Sequence, residues 1–152
     1  MKLQAESGDA FEFAVLRYEF PDITEDRWDS NWLVVSGHVR SGEQVWQFVE
    51  PCVTTFELAE LAEWLGALGS GPQRDAEYAF TEPHLKFSYV VDPEPRLRVR
   101  FAHKIAPPWL TEFARKALGF HLEFPISEVD AQAVIEDLRR TLIEFPIRGG
   151  AA

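Results

Sequence analysis

Histidine is the residue type in this sequence with the widest chemistry, because imidazole acts as an acid, a base or a metal ligand near neutral pH. The sequence contains four histidines and a nearby glutamate, namely His38, His84, His103, His121 and Glu82. Their spacing matches neither the HxH nor the HExxH pattern of metal sites. Strands can still bring such residues together, so a His/Glu metal or acid–base site stays open beside scattered structural histidines.

Signatures of nucleophilic or cofactor-dependent catalysis are absent from the sequence. There is no G-x-S-x-G elbow, no P-loop and no G-x-G-x-x-G run. Cys52 precedes a predicted helix start, which can activate a thiol, but a lone cysteine is better explained as a small buried residue. We therefore predict no catalytic residues, no cofactor and no metal ion.

Basic side chains alternate along one predicted strand, at Arg96, Arg98 and Arg100, so they project from the same face. Such a row suits a local anion site. Pairing with carboxylates of adjacent strands, such as Glu12 or Glu123, explains the row equally simply. We favour the paired, solvent-facing arrangement.

The acidic loop, residues 19–29, holds five carboxylates and a single arginine. Trp28 lies among the carboxylates, and an exposed tryptophan beside charges is typical of energetic hot spots at protein interfaces. Turn formation by the acidic residues, with Trp28 folded into the core, is the alternative. The loop also lacks the D-x-D-x-D-G order of an EF-hand. The residues predicted to bind a partner are Asp22, Glu25, Asp26, Trp28 and Asp29.

Composition narrows the function classes. The chain has 152 residues and a formal net charge of −10, which repels phosphate backbones and anionic lipid surfaces. We therefore expect no nucleic-acid partner and no membrane partner. The first residues, MKLQAESGDA, lack the apolar core of a signal peptide, and no apolar run approaches the ~20 residues of a membrane span. The expected location is the cytoplasm.

Hydrophobic periodicity predicts one α+β domain over residues 1–152. We expect a mainly antiparallel sheet of about seven strands, two amphipathic helices and a short third helix, in the order βββ-α-βββ-(α)-β-α. The strands are predicted over residues 11–18, 31–40, 43–49, 77–80, 85–91, 97–103 and 120–124. The helices are predicted over residues 54–68, 110–117 and 131–142, and Gly119 is expected to stop the second of them.

The first predicted helix carries signals at both ends. Thr54 and Glu57 form a capping-box pattern at its start, and Gly69 is expected to stop it. The same pattern places Glu57, Glu60 and Glu63 on the face opposite the leucines, where we expect a solvated surface.

Short apolar-rich stretches follow one another along most of the chain. They are Tyr18-Glu19-Phe20-Pro21, Asp29-x-Asn31-Trp32-Leu33, Trp46 before Pro51, the helical Thr55, Glu57, Leu58, Leu61, Trp64 and Leu65, Glu82-Pro83-x-Leu85, Pro107-x-Trp109, and Phe145-Pro146-x-Arg148. In this order they resemble the WapI family of immunity proteins. The resemblance implies a small bacterial inhibitor that binds the C-terminal toxin domain of a wall-associated, polymorphic toxin and has no catalytic residues.

The charge of the chain agrees with that implied role. Many toxin domains of this kind are nucleases, and an acidic protein steers onto their basic surface and excludes the phosphate substrate. Two other classes stay open. One is a small enzyme or ligand-binding domain with a His/Glu site in the sheet, and the other is a structural domain with an apolar patch near Trp109 and Phe113.

Overall fold

The computed structural model describes residues 1–68 and 74–150, which form two four-stranded antiparallel sheets and two main helices. The N-terminal sheet contains β1 (Lys2–Gln4), β2 (Ala10–Tyr18), β3 (Trp32–Ser41) and β4 (Gln44–Thr54), in that order. The C-terminal sheet contains β5 (Ala76–Ala79), β6 (Leu85–Val90), β7 (Arg96–Phe101) and β8 (Phe120–Pro125). The helices are α1 (Thr55–Leu68) and α2 (Ala131–Glu144). The α+β class is confirmed, and the predicted stop at Gly69 lies outside the described residues.

Two short elements differ from the sequence prediction. Strand β1 was not predicted, because a three-residue strand shows too little alternation to be recognised. It pairs with β2 through Leu3, which lies opposite Phe11. The predicted short third helix is present over residues 112–118, but Ala114–Leu118 is π-helical. It ends at Gly119, as predicted, where φ is 65°. Glycine adopts this left-handed conformation without steric cost.

Alternating apolar residues turn both sheets toward one core. On β6 and β7 the inward positions are buried, whereas the positions between them are partly exposed. Phe11 of the N-terminal sheet meets Phe101 of the C-terminal sheet edge to face, with ring centroids 4.9 Å apart. Trp46 packs on Phe101 and donates its indole N–H to the carbonyl oxygen of Ile105 at 3.1 Å. These aromatic contacts join the two sheets.

The capping box at α1 is confirmed, but the predicted exposure of Glu57 is wrong. The Thr54 amide donates to Glu57 Oε2 at 2.8 Å, and the Glu57 amide donates to Thr54 Oγ1 at 3.3 Å. Glu57 is only 4% exposed, and its Oε1 accepts the Thr81 amide at 2.6 Å. These donors offset the cost of burying the carboxylate. Glu60 and Glu63 are exposed, as predicted.

Candidate partner-binding site

The acidic loop leaves β2 and returns to β3, and it presents all five predicted binding residues to solvent. Trp28 is 44% exposed, so the alternative that it folds into the core is wrong. Its inner side packs edge to face on Phe56 of α1, with ring centroids 5.1 Å apart. The Arg27 guanidinium lies 5.7 Å from the centroid of the same Phe56 ring. The tryptophan is thus both anchored and accessible.

Asp26 organises the turn that carries Trp28. Its Oδ1 accepts the amides of Trp28 and Asp29 at 2.8 and 2.7 Å. The backbone continues as a turn, because the Asn31 amide donates to the carbonyl oxygen of Trp28 at 3.0 Å. Asp26 is therefore an exposed carboxylate with a structural function as well.

Asn31 connects the loop to residues 145–150, which follow α2 and which we call the C-terminal segment. Its side chain is fully buried, and its Nδ2 donates to the carbonyl oxygens of Arg27 and Arg148 at 2.7 and 2.8 Å. Its Oδ1 accepts the Arg148 amide at 2.9 Å. Because all of these partners are backbone groups, the contacts fix the path of the loop rather than its side chains.

Arg148 adds contacts at the other end of the loop. Its Nη1 donates to the carbonyl oxygen of Pro21 at 3.0 Å. Its guanidinium stacks on the ring of Tyr18, whose hydroxyl donates to the carbonyl oxygen of Pro146 at 2.6 Å. Burial raises the pKa of Tyr18, and the Arg148 charge opposes this effect. The acidic loop therefore rests on the C-terminal segment at both ends.

Carboxylates from other elements extend the negative surface. Burial raises the pKa of Glu19, with further contributions from Asp29, Glu50 and Glu82 that the positive charge of Arg17 opposes. Glu50 lies within β4 and Glu82 precedes β6, so they are distant from the loop in the sequence. We call the acidic loop together with Glu50 and Glu82 the acidic face. Sequence proximity identified the loop but not the two additional carboxylates.

Cys52 behaves as the buried apolar residue that the sequence predicts. It is fully buried, and burial together with nearby carboxylates raises its pKa to about 12. A thiol with such a pKa holds its proton near neutral pH and is a poor nucleophile.

Among the His/Glu candidates, the structure brings together two histidines and the glutamate. The rings of His84 and His103 lie 5.5 Å apart between centroids, and His84 Nδ1 lies 3.6 Å from Glu82 Oε2. His38 is exposed on β3 and His121 is exposed on β8. Within residues 1–68 and 74–150, no three His, Cys, Asp or Glu side chains are placed to hold a metal ion. The His/Glu alternative therefore depends on the His84–His103 pair.

Comparison with known families decides the class of this protein. Residues 2–146 match the immunity protein WapI-like family. The chain belongs to this family. Membership supports an immunity role and implies a protein partner, the cognate toxin. Neither the curated proteins nor the solved structures contain a match to the chain.

The other candidate surfaces of this WapI-like immunity protein were partly predicted. Arg96 and Arg98 both pair with Glu123, as expected, and Arg98 Nη2 lies 2.9 Å from Glu123 Oε1. The suggested pairing with Glu12 is wrong, because Glu12 lies on β2 in the other sheet. Arg100 instead donates to a backbone carbonyl. The single negative charge of Glu123 is therefore shared by Arg96 and Arg98, and Arg100 has a neutral acceptor.

The apolar side chains near the π-helical stretch are exposed in this WapI-like protein. Trp109 is 43% exposed and Phe113 is 73% exposed. Trp109 also packs edge to face on Trp46, with ring centroids 5.4 Å apart. Among the described residues, no helix is long and apolar enough to cross a membrane.

Proposed function

We propose that this protein acts in the cytoplasm as a single domain that binds the C-terminal toxin domain of a wall-associated, polymorphic toxin and neutralises it without turnover. The observation that carries the proposal is the exposed, anchored acidic face on a member of the WapI-like immunity family. The complementary partner is a toxin domain with a basic substrate-binding surface, as in a nuclease.

Charge supports the choice of this face. The net charge of −10 produces a field that accelerates encounter with a basic domain. Asp22, Glu25 and Asp29 are exposed, so they meet the partner with little prior rearrangement. Carboxylates at these positions occupy the places of substrate phosphates and thereby exclude the substrate.

Trp28 supplies the apolar part of the proposed contact. Its exposed portion becomes desolvated on binding, and tryptophan is enriched among interface hot spots. Its contact with Phe56 already restricts the side chain in the free protein, so binding costs less rotamer entropy. We expect Trp28→Ala to weaken toxin binding by at least about 2 kcal/mol.

The first experiment is capture of the partner from source cells that express the toxin, at low and at near-physiological salt. The expected partner is stoichiometric, carries a toxin-like C-terminal domain and loses its toxic activity when the two proteins are mixed. Loss of binding as salt rises indicates contact through exposed charges. Absence of such a partner at both salt concentrations contradicts the proposal.

Charge reversal then tests the surface. The variant Asp22→Lys/Glu25→Lys/Asp29→Lys keeps Asp26, which holds the turn. We expect it to bind the purified toxin domain about 100-fold more weakly, mainly through slower association. The matched control reverses three exposed carboxylates outside the acidic face, namely Glu43, Glu63 and Glu144. Equal affinities of the two variants, with unchanged thermal unfolding, remove the acidic face from the proposal.

A further inference from the structure

An open pocket of about 530 Å³ is lined mainly by the segment that connects β7 to β8. We call it the cationic pocket. Its lining residues are His84, His103, Lys104, Leu110, Glu112, Arg115 and Lys116. A pocket of this size lies within the roughly 300–1,000 Å³ range of small-molecule sites.

Two of the three Lys and Arg side chains in the pocket have no acidic partner in the part of the chain that the structure describes. Lys116 Nζ lies 2.8 Å from Glu112 Oε1, so this pair neutralises itself. No carboxylate of the described residues lies within 4.0 Å of the Lys104 or Arg115 side chain. In a chain with a net charge of −10, two uncompensated cations at one concave surface attract anions locally.

Arg115 is held in place by neutral acceptors. Its Nε donates to the carbonyl oxygen of His103 at 3.1 Å, and its Nη2 donates to that of Lys104 at 3.4 Å. His103 itself has φ of 54°, a left-handed conformation that is strained for a non-glycine residue. Such strain concentrates at ligand-binding positions. The carbonyl groups orient the guanidinium and leave its charge available.

His84 has an unsatisfied nitrogen beside this pocket. Its side chain is 14% exposed, and its buried Nδ1 has no hydrogen-bond partner among the described residues. The carboxylate oxygen Glu82 Oε2 is 3.6 Å from this nitrogen, beyond hydrogen-bond distance. A buried nitrogen without a hydrogen-bond partner lowers the stability of the folded protein. If His84 carried protons on both nitrogens and contacted a bound anion and Glu82, this free energy would be recovered.

We propose that the cationic pocket binds a phosphoryl group, either free phosphate or the phosphate of a small organic molecule. Lys104 and Arg115 supply the two positive charges that a phosphate dianion requires, and the Arg115 fork offers directional donors. His84 and His103 supply imidazole donors at the same pocket. The lining of the pocket contains no residue of the acidic face, although Glu82 of that face lies 3.6 Å from His84 Nδ1. The proposal does not depend on toxin binding.

The test is a titration of the intact protein, monitored through histidine and amide NMR signals. One arm uses inorganic phosphate, a second uses a nucleoside monophosphate, and a third uses sodium chloride at matched ionic strength. We expect saturable shifts at His84 and His103 in the phosphate arms, with His38 as an internal reference on the other sheet. Tighter binding of the nucleotide assigns the site to an organic phosphate, and equal binding assigns it to free phosphate.

The protonation of His84 gives an independent readout. In the free protein, burial lowers its pKa, His103 and Lys104 lower it further, and Glu82 and Glu50 oppose the effect. A bound dianion favours the charged ring, so the pKa of His84 rises on saturation with phosphate. An unchanged His84 pKa at saturation contradicts the proposed contact.

Two variants and one control complete the test. Lys104→Gln changes an exposed side chain, whereas Arg115→Gln also removes two hydrogen bonds to the backbone. We expect each to weaken phosphate binding about tenfold, as loss of one charge-assisted hydrogen bond does. Arg139→Gln makes the same charge change on exposed α2 and should bind like the parent. Parent-like affinity in Lys104→Gln and Arg115→Gln, or equal shifts with sodium chloride, overturns the proposal.

Discussion

The guanidinium carbon of Arg148 lies 3.4 Å from the centroid of the Tyr18 ring. Tyr18 ends β2 just before the acidic loop, and Arg148 belongs to the C-terminal segment. The same guanidinium donates to the carbonyl oxygen of Pro21 at the start of the loop. The stacking therefore couples the last residues of the chain to the geometry of the acidic face.

Removal of this contact gives the first prediction. Arg148→Ala should lower the free energy of unfolding by about 1–2 kcal/mol through loss of the cation–π contact and its hydrogen bonds. It should also weaken toxin binding, even though the variant is more negative and steers better toward a basic partner. Chemical denaturation and a binding titration measure both effects. Arg139→Ala makes the same charge change on exposed α2, and matching behaviour of the two variants would contradict a role for the contacts of Arg148.

Gly149 allows a test of backbone approach. It has φ of 59°, and an added Cβ would lie 2.7 Å from the carbonyl oxygen of Asp26. Gly149→Ala should destabilise the protein by about 1–3 kcal/mol, because the loop must move away. Gly150 has a similar φ of 69°, and no atom of the described residues lies within 4 Å of the added Cβ, so Gly150→Ala isolates the backbone strain. Thermal unfolding of both should show the larger loss in Gly149→Ala, and equal losses would show that the contact with Asp26 is unimportant.

Glu57 provides a prediction for the start of α1. Its two carboxylate oxygens accept the amides of Thr54 and Thr81, so an amide in its place directs an N–H group toward a donor. Glu57→Gln should cost about 1–3 kcal/mol in unfolding free energy. Glu63→Gln makes the same change at an exposed position of the helix and should be nearly neutral. Equal stabilities of the two variants in urea would mean that the buried acceptor is dispensable.

Glu19, in the acidic face, makes the stability of the protein depend on pH. Its pKa is raised in the folded protein, first by burial and then by Asp29, Glu50 and Glu82. The folded state therefore disfavours the charged form of Glu19. The contribution of Glu19 to the free energy of unfolding is most favourable below the ordinary glutamate pKa of about 4.3. Its contribution is lost as the pH rises through the raised pKa.

Glu19→Gln should consequently raise the melting temperature near neutral pH and have a smaller effect in acid. Thermal unfolding across this pH range measures the difference, with Glu43→Gln as the control at an exposed turn. A gain that persists unchanged at low pH would show that charge repulsion is not its cause. Weaker toxin binding by the same variant would indicate that the acidic face trades stability for recognition.

Periodicity in the sequence predicted most elements, because α1, α2 and the long strands bury one face each. The capping box also follows from local spacing, since Thr54 and Glu57 bond to each other. The burial of Glu57 could not be predicted, because it depends on Thr81, far along the chain. Strand β1 escaped recognition because its pattern is only three residues long.

Some features of the candidate site could likewise be predicted from the sequence, and others could not. The exposure and composition of the acidic loop are local properties, and the sequence indicated the residues from them. The anchors are not local, because Asn31 and Arg148 are separated by 117 residues in the sequence. Glu50 joins the acidic face from β4, which pairs with β3, and Glu82 joins it from the segment before β6. Their binding role, like that of the loop, stays a prediction.

The residues that hold the acidic loop in place differ from those that it exposes, and this has an evolutionary consequence. Asn31 and Arg148 hold the loop through its backbone carbonyl groups, so its path does not depend on the identity of most side chains. Asp22, Glu25 and Asp29 can therefore be replaced by other residues with little loss of folding stability. A protein built in this way can acquire a new target by surface substitutions alone while its frame stays intact.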